Sequence, residues 1–506
     1  MNNNNVAIRR LSTGVPGMDL VLGGGLPEFS FNLIAGHPGS GKTTLAHQMM
    51  FALATPERPA IYFTVLGEPP IKMLRYQQQF AFFDSEAINR SVRFINLSDD
   101  AMAGDLDRVL KRIVEEVIQH SPALVFVDSF RSVALASETE SKSNSALNQF
   151  VQQLGMLMTS WQATTFLIGE YFSEVDSNPV FTVCDGLIWM RQSVQRNSMV
   201  RKMEVMKMRG QPTVPGLHTF RIGASGVEVF PPAGVYVPEP IDPDKALRAP
   251  RLRTGVPGLD EMLGGGLPQG YSLLVAGPSG SGKSILAAAF LAEGARNGEA
   301  GVIAAFEQRP DQTRNRVVAE LIASDKVGLV ENRSADLSID EMVYILLREI
   351  RRRGAKRVAI DSLSGFELAL APTFRDDYRE SLSSFVTALA NEGVSVLMTS
   401  ELEDRYTDLR FSPYGTAFMT DSIIVQRYIE VESRLRRVLA VVKVRGSWHS
   451  DELREYSIDS DGIHVGTMLP DQEGLLGGRP SRKDVAGTLR VTATPAPGQR
   501  PRSSPP

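Results

Sequence analysis

Eight residues, Gly36-His37-Pro38-Gly39-Ser40-Gly41-Lys42-Thr43, return later in the chain as Gly277-Pro278-Ser279-Gly280-Ser281-Gly282-Lys283-Ser284. Each copy follows an apolar run (Phe31 to Ala35; Leu273 to Ala276) and precedes a helix-compatible stretch (Leu45 to Ala52; Leu286 to Ala292). A strand, a glycine-rich loop and a helix in that order make a phosphate-binding turn. The glycines let successive backbone N–H groups converge on phosphate oxygens, the lysine reaches the β- and γ-phosphates, and the closing hydroxyl ligates Mg2+. The spacing therefore predicts two nucleoside-triphosphate sites. The first cradle is assigned to Gly36, Gly39, Ser40, Gly41, Lys42, Thr43 and Thr44, and the second to Gly277, Gly280, Ser281, Gly282, Lys283 and Ser284.

The duplication extends well beyond these loops. Thr13-Gly14-Val15-Pro16-Gly17-Met18-Asp19 with Leu22-Gly23-Gly24-Gly25-Leu26-Pro27 recurs as Thr254-Gly255-Val256-Pro257-Gly258-Leu259-Asp260 with Leu263-Gly264-Gly265-Gly266-Leu267-Pro268. Downstream, Val127-Asp128-Ser129 matches Ile360-Asp361-Ser362, and Lys207-Met208-Arg209-Gly210 matches Lys443-Val444-Arg445-Gly446. The chain reads as a tandem repeat of one large domain, with repeats too long for a solenoid unit. Short apolar runs (Ala60 to Val65, Ala123 to Val127, Thr164 to Ile168; then Gly301 to Phe306, Arg357 to Ile360, Val394 to Met398) alternate with longer helix-compatible stretches such as Leu106 to Gln119. That alternation predicts an α/β fold, a mainly parallel sheet flanked by helices in each copy, with site residues at the carboxyl ends of the strands. The expected layout is a first domain over 6–232, a proline-rich, extended connector over 233–248, a second domain over 249–466, and a disordered tail over 467–506 that is too poor in apolar residues to fold.

Composition narrows the function. Of 506 residues, 42% are hydrophobic and 22% charged, as in soluble globular proteins. The net charge of −4 gives no electrostatic reason for strong nucleic-acid binding. The one cysteine, Cys184, excludes an intrachain disulfide and a cysteine-based zinc site. It reads as a small buried hydrophobe in a strand-like run. No run approaches the ~18 apolar residues of a membrane span, and the start MNNNNVAIRR lacks a secretory apolar core. A cytoplasmic protein without membrane contact is expected.

Four further groups carry chemistry. Asp128 and Asp361 each end an apolar strand, where a carboxylate stands beside the phosphate loop and holds Mg2+ directly or through water. Thr43 and Ser284 complete the metal sets. Glu68 and Glu307, after the strand that follows the first helix, are candidate bases for the attacking water. Glu170 and Glu401 end a further strand within reach of a γ-phosphate. Lys207 with Arg209, and Lys443 with Arg445, sit two apart, so on a strand both cations of a pair project from one face, ready to neutralise a transferring phosphoryl group. Arg351-Arg352-Arg353-Gly354 reads as a helix C-terminus with its glycine cap, and His37 as loop filler.

Taken together, TGVPGxD with LGGGLP, the two phosphate loops, Phe306-Glu307-Gln308-Arg309-Pro310, the two Asp-Ser strand ends and the two Lys-x-Arg-Gly segments resemble the KaiC family of RecA-like tandem ATPases, over about residues 6 to 466. The resemblance implies a double-ring homohexamer with ATP at subunit interfaces, where each Lys-x-Arg pair reaches ATP held by the neighbour. Two departures stand out. The family's paired glutamates are thinned to Gly67-Glu68 and Glu307-Gln308, and the positions matching the clock members' Ser-Thr phosphorylation pair read Ala417-Phe418, ahead of Thr420-Asp421. Thr416 and Thr420 are the nearby hydroxyls, so Ser/Thr autokinase chemistry would need a shifted acceptor with Glu307 as base. Three functions fit these residues: a hexameric ATPase gating a conformation for a signalling partner, with autokinase activity open in the second copy; a RecA-type DNA-dependent ATPase; and a nonhydrolytic scaffold glued by ATP. Near-neutral charge and the lack of a basic-aromatic strip favour the first.

Overall fold

In the computed structural model, the structure describes residues 8–65, 70–102, 106–130, 143–172, 179–195, 198–236, 250–306, 315–331, 337–370, 374, 378–402, 419–431, 433–468, 472–473 and 481–482. The first copy forms a nine-stranded sheet from β1 (Phe31–Gly36), β2 (Ala60–Thr64), β3 (Val92–Asn96), β4 (Leu124–Asp128), β5 (Thr164–Glu170), β6 (Gly186–Gln195), β7 (Ser198–Met208), β8 (His218–Gly223) and β9 (Gly226–Phe230), in the order β9-β8-β7-β6-β1-β5-β4-β2-β3. The second copy repeats that order with β10 (Ser272–Gly277), β11 (Gly301–Ala305), β12 (Val327–Glu331), β13 (Arg357–Asp361), β14 (Ser395–Glu401), β15 (Ser422–Val431), β16 (Arg434–Val444), β17 (Leu453–Ile458) and β18 (Ile463–Met468). Six strands of each sheet run parallel, and three antiparallel strands extend one edge.

The central strands are buried along nearly their whole length because both faces are covered. Leu33 and Ala35 enter one apolar cluster and Ile34 the cluster on the other face; Leu274 and Ala276 divide in the same way from Leu273 and Val275. The helices supply matching stripes. In α1 (Lys42–Leu53), which follows the first glycine-rich loop, Leu45, Ala46, Met49 and Met50 are buried; in α2 (Leu106–His120), Val109, Leu110, Ile113 and Val117 recur at helical spacing. The equivalent of α1 in the second copy is α3 (Lys283–Arg296), and that of α2 is α4 (Ile339–Arg353), which ends at Gly354 in the left-handed conformation, as its arginine-rich end led one to expect.

The entry motif shared by the copies is structural. Asp19 Oδ1 accepts from the backbone N–H and hydroxyl of Thr13, at 2.8 and 2.7 Å, and Asp260 Oδ1 does the same for Thr254, both at 2.7 Å. Each Asp thereby closes its turn on a buried threonine.

Three expectations need correction. The connector does not begin extended: Ala233–Tyr236 is a turn of 3-10 helix, and Ala233 and Tyr236 are buried in the core of the second copy, because the turn gives both apolar faces something to cover. Cys184 is buried as expected, yet it lies between the short helix Pro179–Val183 and β6 rather than in a strand; burial pushes its thiol up to about 11. Beyond Gly466, β18 continues to Met468, and Gln472–Glu473 pairs antiparallel with Ser481–Arg482, a backbone ladder that needs no apolar core.

The copies meet where β8, β9 and that turn pack on α4. Arg221 pairs with Glu341, Arg348 with Glu228 at 2.8 Å, and Phe230 meets Tyr344 edge-on. Ser338 caps α4 by accepting from the Glu341 N–H, but the Glu341 carboxylate, which could have closed the reciprocal capping bond, goes to Arg221 of the first copy instead. Asp340 accepts from the Ala233 N–H at 3.2 Å, and burial raises its pKa to about 6, against the smaller pull of that N–H and of Lys202. A raised folded-state pKa means a stability contribution that is full below about pH 4 and lost as pH climbs through about 6. Asp340→Asn keeps the acceptor and removes the charge. It is expected to flatten the pH dependence of thermal unfolding between pH 4 and 6 and to stabilise the protein at pH 7.5 by up to about 3 kcal/mol; an unchanged melting profile across that range would contradict this.

Candidate functional site

Both glycine-rich loops stand at the carboxyl end of the central strand and feed the N-terminus of a helix. Gly41 and Gly282, the residues before α1 and α3, have φ of 99° and 98°, and a Cβ there would lie 2.4 Å from Ile222 Cδ1 or 2.6 Å from Ile458 Cδ1. Only glycine fits. Neither offers a side chain to cap the helix, so the first-turn N–H groups remain available to an anion, with the helix dipole behind them. Lys42 folds over its loop and donates to the His37 carbonyl at 2.7 Å; Lys283 donates to the carbonyls of Gly277 and Pro278, both at 2.8 Å. The Lys42 pKa is lowered, chiefly by burial, with Glu170 and Asp128 pulling it back up. An uncapped helix end beside a buried ammonium is a fitting cradle for a polyphosphate.

Asp128 ends β4 and Asp361 ends β13, in each case separated from the phosphate-loop strand by one intervening strand, β5 or β14. Glu170 and Glu401 end those intervening strands and pair in register with Gly36 and Gly277, the first glycines of the loops. Asp128 Oδ2 accepts from the Thr43 hydroxyl at 2.8 Å and from the Tyr62 hydroxyl at 2.7 Å. Burial raises its pKa, while Tyr62, Thr43 and Lys42 oppose that shift. Asp361 Oδ1 instead accepts from the Thr399 hydroxyl at 2.5 Å. These hard oxygen donors suit Mg2+, which retains water and substrate phosphate oxygens and takes only one or two ligands from protein. Thr43 with Asp128, and Ser284 with Asp361, are the residues that would hold it. Ser40 and Ser281 are fully buried in their loops, and the Ser281 hydroxyl donates to Gln426 at 3.1 Å. Thr44 lies in the first turn of α1. Glu68 and Glu307 lie outside the described residues.

The cationic pairs lie elsewhere. Lys207 on β7 faces Leu187 on β6, which lies beside Leu33; Lys443 on β16 faces Ile423, beside Leu274. Gly36 is three residues, roughly 10 Å, further along β1, and the pair is two strands to the side. Both pairs therefore sit toward the end of the sheet opposite their own loop. A register shift between Leu187 and Ile188, and again between Ile423 and Ile424, leaves Met206 or Val442 as an extra residue just before the lysine, a bulge that re-aims the residues after it. The expectation that both cations share one face of a strand is thus corrected: Arg209 and Arg445 lie past the strand ends, held by Asp185 at 3.0 Å and Asp421 at 3.7 Å. Those aspartates also accept from the N–H that opens the central strand, Phe31 or Ser272.

A family model described as ATPase: KaiC matches residues 11–234 and again 252–469. The chain belongs to the KaiC ATPase family. Its curated relatives named circadian clock oscillator protein KaiC include one from Prochlorococcus marinus (strain MIT 9313), 25% identical over 94% of this chain and 96% of that protein, and one from Rippkaea orientalis, 27% identical over 96% and 94%. Circadian clock oscillator protein KaiC 1 of Synechocystis sp. is 26% identical over 94% and 93%. Membership in the KaiC ATPase family, with two tandem RecA-like units, makes this chain an ATP-binding ATPase. Among the described residues no helix is long and apolar enough to cross a membrane.

Sequence reasoning missed Tyr62, Thr399, Asp185 and His47. Asp185 had a signal, since Asp421 occupies the same place in the second copy. His47, on α1, is buried against the Tyr62 ring, and burial holds its imidazole down at about 3. The other three residues differ between the copies, so the repeat could not reveal them.

Proposed function

We propose that this KaiC-family ATPase works as a cytoplasmic, double-ring homohexamer that hydrolyses Mg-ATP slowly at subunit interfaces and so gates a conformation read by a signalling protein. The observation that carries this reading is the placement of both Lys-x-Arg pairs away from their own phosphate loops, which suits service to a nucleotide held by an adjacent protomer. Lys42 and Lys283, with the loop N–H groups, bind the β- and γ-phosphates; Asp128 and Asp361 orient the cation's water shell; Glu68 and Glu307 take the proton of the attacking water; Lys207, Arg209, Lys443 and Arg445 offset charge on the transferring group. Thr43 with Asp128, and Ser284 with Asp361, would hold Mg2+, which would supply positive charge to offset the negative charge developing on the phosphates.

Glu68→Gln and Glu307→Gln are each expected to lower hydrolysis at their own site by about 10²-fold or more, measured as phosphate release by full-length protein. A scaffold glued by ATP predicts a negligible rate that neither change moves. A DNA-dependent motor predicts stimulation by single-stranded DNA and steeply salt-dependent binding; the net charge of −4 argues against it. Mass measurement of the intact assembly with and without Mg-ATP tests the ring. As for autokinase activity, Thr420 is 1% exposed, which makes it a poor acceptor, and Thr416 lies outside the described residues; intact-protein mass spectrometry after incubation with ATP reads any added phosphate.

A further inference from the structure

The two copies anchor their magnesium aspartates with hydroxyls from opposite sides. In the first copy the donor is Tyr62 on β2, the strand that pairs with one flank of β4; on the other flank, the residue in register with Asp128 is Ile168 on β5. In the second copy Thr399 on β14, the counterpart of Ile168, donates to Asp361, and the counterpart of Tyr62 is Ile303 on β11. At these two pairs of matching positions, Tyr62 with Ile303 and Ile168 with Thr399, a hydroxyl residue and an isoleucine exchange places between the copies.

The rest of the first copy is built around that exchange. Tyr62 sits two residues before the strand position opposite Asp128, so its hydroxyl reaches the carboxylate only if the ring stands along the sheet. Phe126 stacks on it at 5.8 Å and 15°, Phe166 stacks on Phe126 at 4.7 Å and 12°, and His47 covers the ring from α1 at 4.5 Å. The second copy has Ala359, Leu397 and Ala288 at those three places, none of which could hold an aromatic ring upright. A short threonine hydroxyl on the adjacent strand needs no such support.

We propose that Tyr62 is a positioning residue that orients Asp128 for the Mg2+ of the first site, replacing the strand-end threonine that serves the second site. This rests on the Mg-ATP reading of the first site. Tyr62→Phe removes the hydroxyl and keeps the ring stack, leaving Asp128 with Thr43 alone. Ile168→Thr supplies the second copy's solution.

The test uses full-length protein carrying Lys283→Ala, so that retained nucleotide reports the first site. The parent, Tyr62→Phe and Tyr62→Phe with Ile168→Thr are compared by titrating Mg2+ against retention of a fluorescent ATP analogue, with affinity in EDTA as the control. The expected result is a roughly tenfold rise in the Mg2+ midpoint for Tyr62→Phe, unchanged affinity in EDTA, and a return to within about threefold of the parent in the double variant. An unmoved midpoint in Tyr62→Phe, a midpoint that moves together with the EDTA affinity, or a double variant no better than the single overturns the role of Tyr62 while leaving the site itself intact. A parent that retains no nucleotide with Mg2+ overturns the site reading, and the role of Tyr62 with it.

Discussion

Lys42→Ala is expected to abolish nucleotide retention at the first site, with affinity falling by about 10²–10³-fold, and Lys283→Ala to do the same at the second. Lys42 lies buried with a carbonyl as its donor contact, His37 at 2.7 Å. A charge-assisted bond to phosphate is worth about 1.5–3 kcal/mol, and the lysine reaches two phosphates. The stability change of the ligand-free protein has the opposite sign. Because burial lowers the Lys42 pKa in the folded state, the ammonium costs folding stability at neutral pH, so the ligand-free variant should melt at or above the parent. Thermal shift with and without Mg-ATP separates the two effects: the parent gains about 2.7 kcal/mol at a hundredfold excess over Kd, the double lysine variant none. A variant that melts early without ligand, or still responds to Mg-ATP, would contradict this account.

The second large effect concerns the cationic pairs. With the second site silenced by Lys283→Ala, Lys207→Ala with Arg209→Ala is expected to reduce first-site hydrolysis by about 10³-fold, the scale of an arginine finger. Stability should change little, since Arg209 is exposed and its pairing with Asp185 is a surface contact. Mixing decides whether the pair acts on its own loop or on a neighbour's. A Lys42→Ala protomer lacks the loop lysine and keeps the pair; a Lys207→Ala, Arg209→Ala protomer keeps the loop and lacks the pair. Each is inactive alone. In a ring formed from equal amounts, about a quarter of interfaces join a sound loop to a sound pair, because contacts around a ring run head to tail. Recovery of roughly a quarter of first-site hydrolysis is expected. No recovery in mixed rings would show that the pair serves its own loop, and the interface reading would fail.

Much of the fold was legible because it rests on local rules. An apolar strand running into a glycine loop and a helix can be read from a dozen consecutive residues, and the glycines at Gly41 and Gly282 are required by φ values near 100° that other residues rarely adopt. The duplication made the reading firmer: each weak signal, such as an aspartate at a strand end, occurs twice in the same order. The antiparallel edge of β7, β8 and β9 was less visible, since short alternating strands carry little periodicity of their own and their place depends on β6.

The sequence alone determined the two glycine-rich loops between strand and helix, the Asp128 and Asp361 strand ends and the tandem α/β plan, since each depends on residues close together in the chain. Only the tertiary structure decided which hydroxyl anchors each aspartate, Tyr62 from one flank or Thr399 from the other, where the bulge before Lys207 turns the chain, and that Ala233 and Tyr236 dock into the second core. These depend on the lateral order and register of strands separated by tens of residues, and that arrangement is settled by burying both faces of the sheet at once, a condition no local stretch of sequence contains.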